Sequence, residues 1–168
     1  MDRLIADLRH MTASWDAPAH RVVARAVPRL LVTPRFRAVV LFRASAWCWH
    51  HRLRPVALWL QGCTIRSAGA EIHPAAVIGP GLQLSHSVGI VVGHEVVAGT
   101  DLVLFQGVTL GHGASGNGQP RIGDGVRIGA GAILLGPISI GDGARIAAGS
   151  LVLADVPAGM TVRGEWRG

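Results

Sequence analysis

His86 is the side chain best placed to do chemistry in this sequence. It lies in the run Leu84-Ser85-His86-Ser87, and Glu71 stands fifteen residues before it. An imidazole titrates near neutral pH, so it can take a proton from a hydroxyl and later return it. A carboxylate within reach fixes the tautomer and stabilises the imidazolium that forms. This is general-base chemistry that needs no nucleophile and no metal from the protein. Three further histidines, His73, His94 and His112, share the same half of the chain. Taken singly, each is an ordinary surface or corner residue.

The element that must position His86 is written in a six-residue period. Ile122, Ile128, Leu134, Ile140, Ile146 and Val152 fall at every sixth position, and Ile72, Ile78, Leu84 and Val92, Ala98, Leu104, Leu110 keep the same step upstream. A period of six is neither 3.6 nor 2, which excludes an amphipathic helix and a plain hairpin strand. It is the hexapeptide signature of a parallel β-helix, whose short strands form the flat sides of stacked triangular coils. Residues 72–157 therefore predict about four or five coils. Two breaks interrupt the period. Leu84 to Val92 is a step of eight, a bulge around His86, and Leu110 to Ile122 is a step of twelve filled by GHGASGNGQPR, a loop thrown out of the coil. Irregularities on a rigid scaffold are where function concentrates.

The rest of the composition narrows the class. The chain has 168 residues, two cysteines (Cys48 and Cys63) and no lysine. Two cysteines give neither a disulfide framework nor metal spacing, and they read as free thiols. The opening MDRLIADLRHM lacks the apolar core of a signal peptide, and no apolar run is long enough to cross a bilayer. These points predict a cytoplasmic protein. Residues 1–66 carry eleven Arg against three Asp, a net of +8, whereas residues 67–168 carry five Arg against seven acids, a net of −2. The repeat surface is thus not a nucleic-acid surface.

Residues 1–66 read as helices: Asp2 to Met11, residues 19–32, residues 35–53, and a short one from Pro55 through Leu60. The stretch FRAVVLFRASAWCWHHRLRPVALWL mixes arginine, tryptophan and aliphatic residues. It suits an interfacial membrane helix, but a solenoid needs a cap over its open end, and the cap is the preferred reading. The division is a helical region over 1–66, a β-helix over 67–160 and a tail over 161–168.

The runs EIHPAAVIGPGLQLSHSVGIVVGHEVVAGTDLVLFQGVTLG, PRIGDGVRIGAGAILLG and GARIAAGSLVLADVP resemble the serine O-acetyltransferase family of left-handed β-helix acyltransferases. The resemblance covers residues 71–160 and extends more weakly to FRAVVLFRASAWCW. It implies direct transfer of an acetyl group from acetyl-CoA to an acceptor hydroxyl, with His86 as the base and Glu71 in place of the family's orienting aspartate. Ser85 falls where the family holds the serine amino group with an aspartate. Gly118 and Gln119 fall on an Arg-His pair that meets the serine carboxylate and hydroxyl. Asp16 matches an N-terminal aspartate of the amino-group pocket. Ala130 and Ala148 match the pantetheine channel, and Gly111, His112 and Gly113 match the turn at the thioester end. Arg127 and Arg145 are candidates for CoA phosphates. His94, in VGHE, resembles the base motif of other acetyltransferases on this scaffold, but it lacks the bulge and the carboxylate partner.

The amino-acid half of the family site is thus replaced by uncharged groups, which predicts an acceptor other than free serine: a sugar, a glycan or a specialised metabolite. Loss of charge-assisted hydrogen bonds costs about 1.5–3 kcal/mol each. The alternative is a serine O-acetyltransferase proper. Another class is a non-catalytic CoA-binding scaffold, against which the retained His86 argues. A zinc lyase on this fold is disfavoured, because the histidine spacings of 13, 8 and 18 lack the short H-x4-H pair of such sites. No metal is expected. The resemblance further implies a homotrimer with sites between neighbouring β-helices. The end VRGEWRG lacks the isoleucine that docks relatives onto cysteine synthase, so no such complex is expected.

Overall fold

The computed structural model describes residues 2–114 and 116–168. Four helices precede the repeat: α1 (Asp2–Thr12), α2 (Ala19–Val32), α3 (Pro34–His50) and α4 (Arg54–Ala68). The fourth is longer than its sequence suggests. Gly62 is carried inside it, and it stops only at Gly69, whose left-handed backbone (φ 66°) forms the cap.

Five coils of a parallel β-helix follow. The first is β1 (Glu71–Ile72), β2 (Val77–Ile78) and β3 (Gln83–Leu84). The second is β4 (Val91–Val92), β5 (Val97–Ala98) and β6 (Val103–Leu104), and the third is β7 (Thr109–Gly111), β8 (Arg121–Ile122) and β9 (Arg127–Ile128). The fourth is β10 (Ile133–Leu135), β11 (Ser139–Ile140) and β12 (Arg145–Ile146). The last holds β13 (Leu151–Val152) and β14 (Thr161–Val162), with β15 (Glu165–Trp166) closing on β13. Equivalent strands stack into three parallel sheets: side A is β1-β4-β7-β10-β13-β15, side B is β2-β5-β8-β11, and side C is β3-β6-β9-β12-β14. Register is kept without slippage through both breaks in the period. Ile72 pairs with Val92 and Val92 with Leu110, and Ala98 pairs with Ile122 across the long loop. The six-period residues are the core: Leu84, Leu104, Leu110, Ile128, Leu134 and Val152 are fully buried.

The helical region caps the first coil. Ala38, Val39 and Phe42 of α3 pack into the same core as Ala70 and Ile72. An ion pair fixes this junction. Arg43 donates to both oxygens of fully buried Asp7, at 2.6 and 3.0 Å, and to the carbonyls of Ile78 and Gly79, each at 2.7 Å. Asp7 also accepts the amides of Gly81 and Leu82. Burial pushes the Asp7 carboxyl up, and Arg43 with the two amides pulls it back. Among the described residues, no helix is long and apolar enough to cross a membrane.

Candidate functional site

The triangular coil has three edges, and the expected site residues sort onto them. His86 lies on the edge between sides C and A, in the bulge joining β3 to β4. Below it on the same edge come Gln106 and Gly107, then Ala130 and Gly131, then Ala148 and Gly149. Backbone bonds stack them: Gly107 N–H to Val88 O, Gly131 N–H to Gln106 O and Gly149 N–H to Ala130 O. A Cβ added to Gly131 or Gly149 would meet nothing within 4 Å, so this edge is an open track of small residues. Arg127 and Arg145 are exposed partners in register on side C beside it. That track fits an extended pantetheine arm, with arginines at hand for phosphates.

His86 itself is exposed, while both of its neighbours are pinned. The Ser85 amide donates to Leu104 O, and its carbonyl accepts from Arg35 Nη1 at 2.9 Å. Ser87 is buried and donates through Oγ to Ala68 O at 2.7 Å. The Gly89 amide reaches Gly69 O. The bulge is therefore rigid at its feet and presents the imidazole to solvent. Arg35 was not singled out from the sequence. It lies fifty residues from Ser85 in a run of arginines, and nothing local marks it. Glu71, at the start of β1, flanks the same edge but forms no hydrogen bond or ion pair with His86 among the described residues. Its charge acts instead on His73, whose pKa is lowered by burial and then by His94, with Glu71 opposing.

The A–B edge carries the other expected group. Gly111 ends β7, and His112, Gly113, Gly118 and Gln119 lie in the loop that leads to β8. Gln119, expected to contact the acceptor, has its side chain largely buried. Its Oε1 accepts the Glu95 amide at 3.0 Å, and its Nε2 points at His112 Nδ1, 2.8 Å away. Gly93 leaves room for this amide in its present place, because a Cβ there would fall 2.2 Å from Gln119 Oε1. The amide orientation sets the histidine tautomer: Nδ1 accepts, so the His112 proton sits on Nε2, which faces Glu95 Oε2 at 3.2 Å. His94 Nε2 lies 3.7 Å from the other Glu95 oxygen. A recess of about 330 Å³ opens here, lined by Glu95, Gly118, Gln119, Arg121 and Pro137.

The histidines that spacing had separated thus form a column. Ring centroids of His73 and His94 are 5.5 Å apart, and those of His94 and His112 are 5.4 Å apart. Ligand atoms of His94, Glu95 and His112 all lie within 4.8 Å of one another, close enough to hold a cation. A cation on His112 Nε2 would have to displace the proton that Gln119 places there, so the donor set suits a hydrogen-bonded network better. Asp16 is on neither edge group. It follows Trp15, whose ring meets His10, and His10 pairs with Asp101 on the B–C edge at 2.8 Å.

Residues 119–154 match the family model described as bacterial transferase hexapeptide (six repeats). The serine acetyltransferase of Salmonella typhimurium is 42% identical over 99 residues, 56% of this chain and 36% of that protein. The fold superposes on the Neisseria gonorrhoeae serine acetyltransferase solved in complex with serine, with a TM-score of 0.82 and 37% identity over 96% of this chain and 65% of that one. The chain is similar in sequence and in fold to the serine O-acetyltransferases of the hexapeptide-repeat type. A family structure solved in complex with CoA gives a TM-score of 0.81 at 36% identity, over 95% of this chain and 65% of that one. The likeness thus includes the helical region, beyond residues 71–160. The match spans about a third of the curated relatives' length and just under two thirds of the solved chains.

Proposed function

We propose that this protein is an acetyl-CoA-dependent O-acetyltransferase with His86 as general base. The observation that carries the reading is the exposed His86 imidazole, clamped at the head of an open track of Ala130, Gly131, Ala148 and Gly149. In the proposed reaction, His86 takes the proton of the acceptor hydroxyl as its oxygen attacks the thioester carbonyl. The tetrahedral intermediate then collapses, the C–S bond breaks, and His86 returns the proton to the departing thiolate. The products are the acetyl ester and CoA. Removal of such a base costs on the order of 10²–10⁴ in rate.

Free L-serine is the acceptor that the relatives' names favour, and one solved relative holds serine. The expectation of a different acceptor gains no support from these comparisons, so serine is the first reading. One observation keeps a second reading in play. Both polar atoms of the Gln119 amide are engaged inside the protein, and neither Gln119 nor Gly118 offers a cation for a carboxylate. These two positions suit a neutral hydroxyl acceptor, and Arg121 in the same recess is the group that would meet a carboxylate.

We also propose that the complete site forms between two copies in a trimer. The C–A edge carries His86 and the A–B edge carries the 118–119 positions, and side A separates these two edges within one chain. Release of free thiol from acetyl-CoA, measured with and without L-serine and then with neutral hydroxyl acceptors, tests the reading. Serine-dependent release that disappears in His86→Ala supports it. Release with neutral acceptors alone favours the second acceptor, and no acceptor-dependent release at all overturns the enzyme.

A further inference from the structure

The last helix of the cap, α4, packs with its small residues inward and its large apolar residues outward. The buried face of α4 is Ala57, Gln61, Thr64 and Ala68. Its outer face exposes Val56, Leu58, Trp59 and Ile65, with Trp59 at 63% of full accessibility. The tip of the α3–α4 hairpin continues this surface. Trp47 is 58% exposed, Leu53 46%, and every residue from His50 to Val56 is exposed. Trp47 stacks on His51, with ring centroids 4.2 Å apart, and the Arg54 guanidinium lies over the Trp49 ring at 5.1 Å. The cap and the interfacial readings of this stretch are therefore not exclusive. One face caps the solenoid, and the other is left without an intramolecular partner.

Charge indicates what covers it. Residues 17–70 contain nine arginines and no aspartate or glutamate. Arg52 and Arg54 flank the exposed tip, and Arg66 is exposed near the end of α4. Two such faces apposed about a two-fold axis would bring like charges together with no acid in either segment to offset them. A protruding hairpin tip with tryptophans at its sides and arginines beside them matches the headgroup region of an anionic bilayer. There indole rings sit at the interface and arginines meet lipid phosphates.

We propose that the α3–α4 hairpin docks on an anionic lipid surface, with Trp47, Leu53, Val56, Leu58 and Trp59 entering the interface and Arg52 and Arg54 contacting phosphates. Beside the tip, a groove of about 740 Å³, whose lining includes Arg3, Arg43, Trp47, Trp49 and His50 along with the acidic Asp2, is open to a lipid headgroup. The attachment is peripheral, and the column His73–His94–His112 begins at Trp49, whose ring meets His73 at 5.2 Å. Docking would therefore place the A–B edge close to the membrane plane.

Flotation of the full chain with vesicles tests this. Vesicles of phosphatidylcholine and phosphatidylglycerol (7:3) are compared with phosphatidylcholine alone at low salt, with tryptophan emission recorded in parallel. The expected result is co-flotation with the anionic vesicles only, a blue shift of emission, and release at high salt. Arg52→Gln and Arg54→Gln should each weaken binding roughly fivefold. Trp59→Ser should weaken it further while leaving acetyl transfer and the melting temperature unchanged. Three results overturn the proposal: no flotation, flotation insensitive to the arginine substitutions, or a fall in subunit number in Trp59→Ser. The last would show that a second copy covers the face.

Discussion

The two breaks in the six-residue period are built in opposite ways. The bulge at His86 is held from outside the coil: Arg35 of α3 and the Ala68 carbonyl of α4 grip its two feet, and the imidazole is left free. The loop at 112–120 is held from inside: buried Gln119 ties Glu95 and His112 together, and the polar groups satisfy one another. The first arrangement presents a base. The second presents a shaped surface around a recess lined by Glu95 and Arg121 as well as Gly118, Gln119 and Pro137. A scaffold of stacked coils accommodates both without losing register, because each extra segment leaves and re-enters at an edge of the triangle.

Four substitutions separate these two designs. The largest effect is expected from His86→Ala, a fall in acetyl transfer of about 10²–10⁴ with CoA binding retained. Steady-state rates together with CoA titration check it, and a near-normal rate, or loss only in His94→Ala, assigns the base elsewhere. Gln119→Ala comes next. It leaves the Glu95 amide and His112 Nδ1 without their partner, at a cost of about 1–3 kcal/mol. Acceptor KM should rise more than kcat falls, and denaturant melts should show the lost stability.

Arg35→Ala should lower kcat about tenfold, since the charge-assisted bond it removes, worth about 1.5–3 kcal/mol, mounts the bulge without touching the imidazole. Because the imidazole remains and only its mounting loosens, Arg35→Lys should recover part of the rate. A merely structural arginine would instead lower the melting temperature without a selective loss of kcat.

The smallest effect concerns pH. His73 is held below its ordinary value of 6.5 by burial and by His94. The unfolded chain therefore takes up a proton here that the folded chain resists, and stability falls as pH drops through about 6.5. In His73→Asn, the melting temperature should depend less on pH between 7 and 5. An unchanged slope would place that dependence on other groups.

The sequence made the solenoid legible because burial repeats with a period that no helix or hairpin shares. Every six-period residue from Ile72 to Val152 proved to be core. The bulge that carries His86 was legible because it interrupts that period. The remainder depended on contacts between residues far apart in the chain. Arg35 reaches Ser85 across fifty residues. Gln119 turned inward because Gly93, one coil earlier, leaves room for its amide. His94 and His112 are eighteen residues apart in sequence but adjacent in space, because a coil returns each edge over itself. The outer face of α4 was hidden for a different reason. Its small residues are buried and its large ones exposed, the reverse of the pattern that hydrophobic periodicity looks for.

Whether one site draws on both edges is tested most directly by mixing two inactive chains. One carries His86→Ala and keeps the A–B loop, and the other keeps His86 and carries His112→Ala with Gln119→Ala. Co-assembled in equal amounts, they should regain about a quarter of wild-type acetyl transfer, because one junction in four pairs two intact edges in a ring of heterologous contacts. Activity no greater than the sum of the two parents would contradict a site shared between copies.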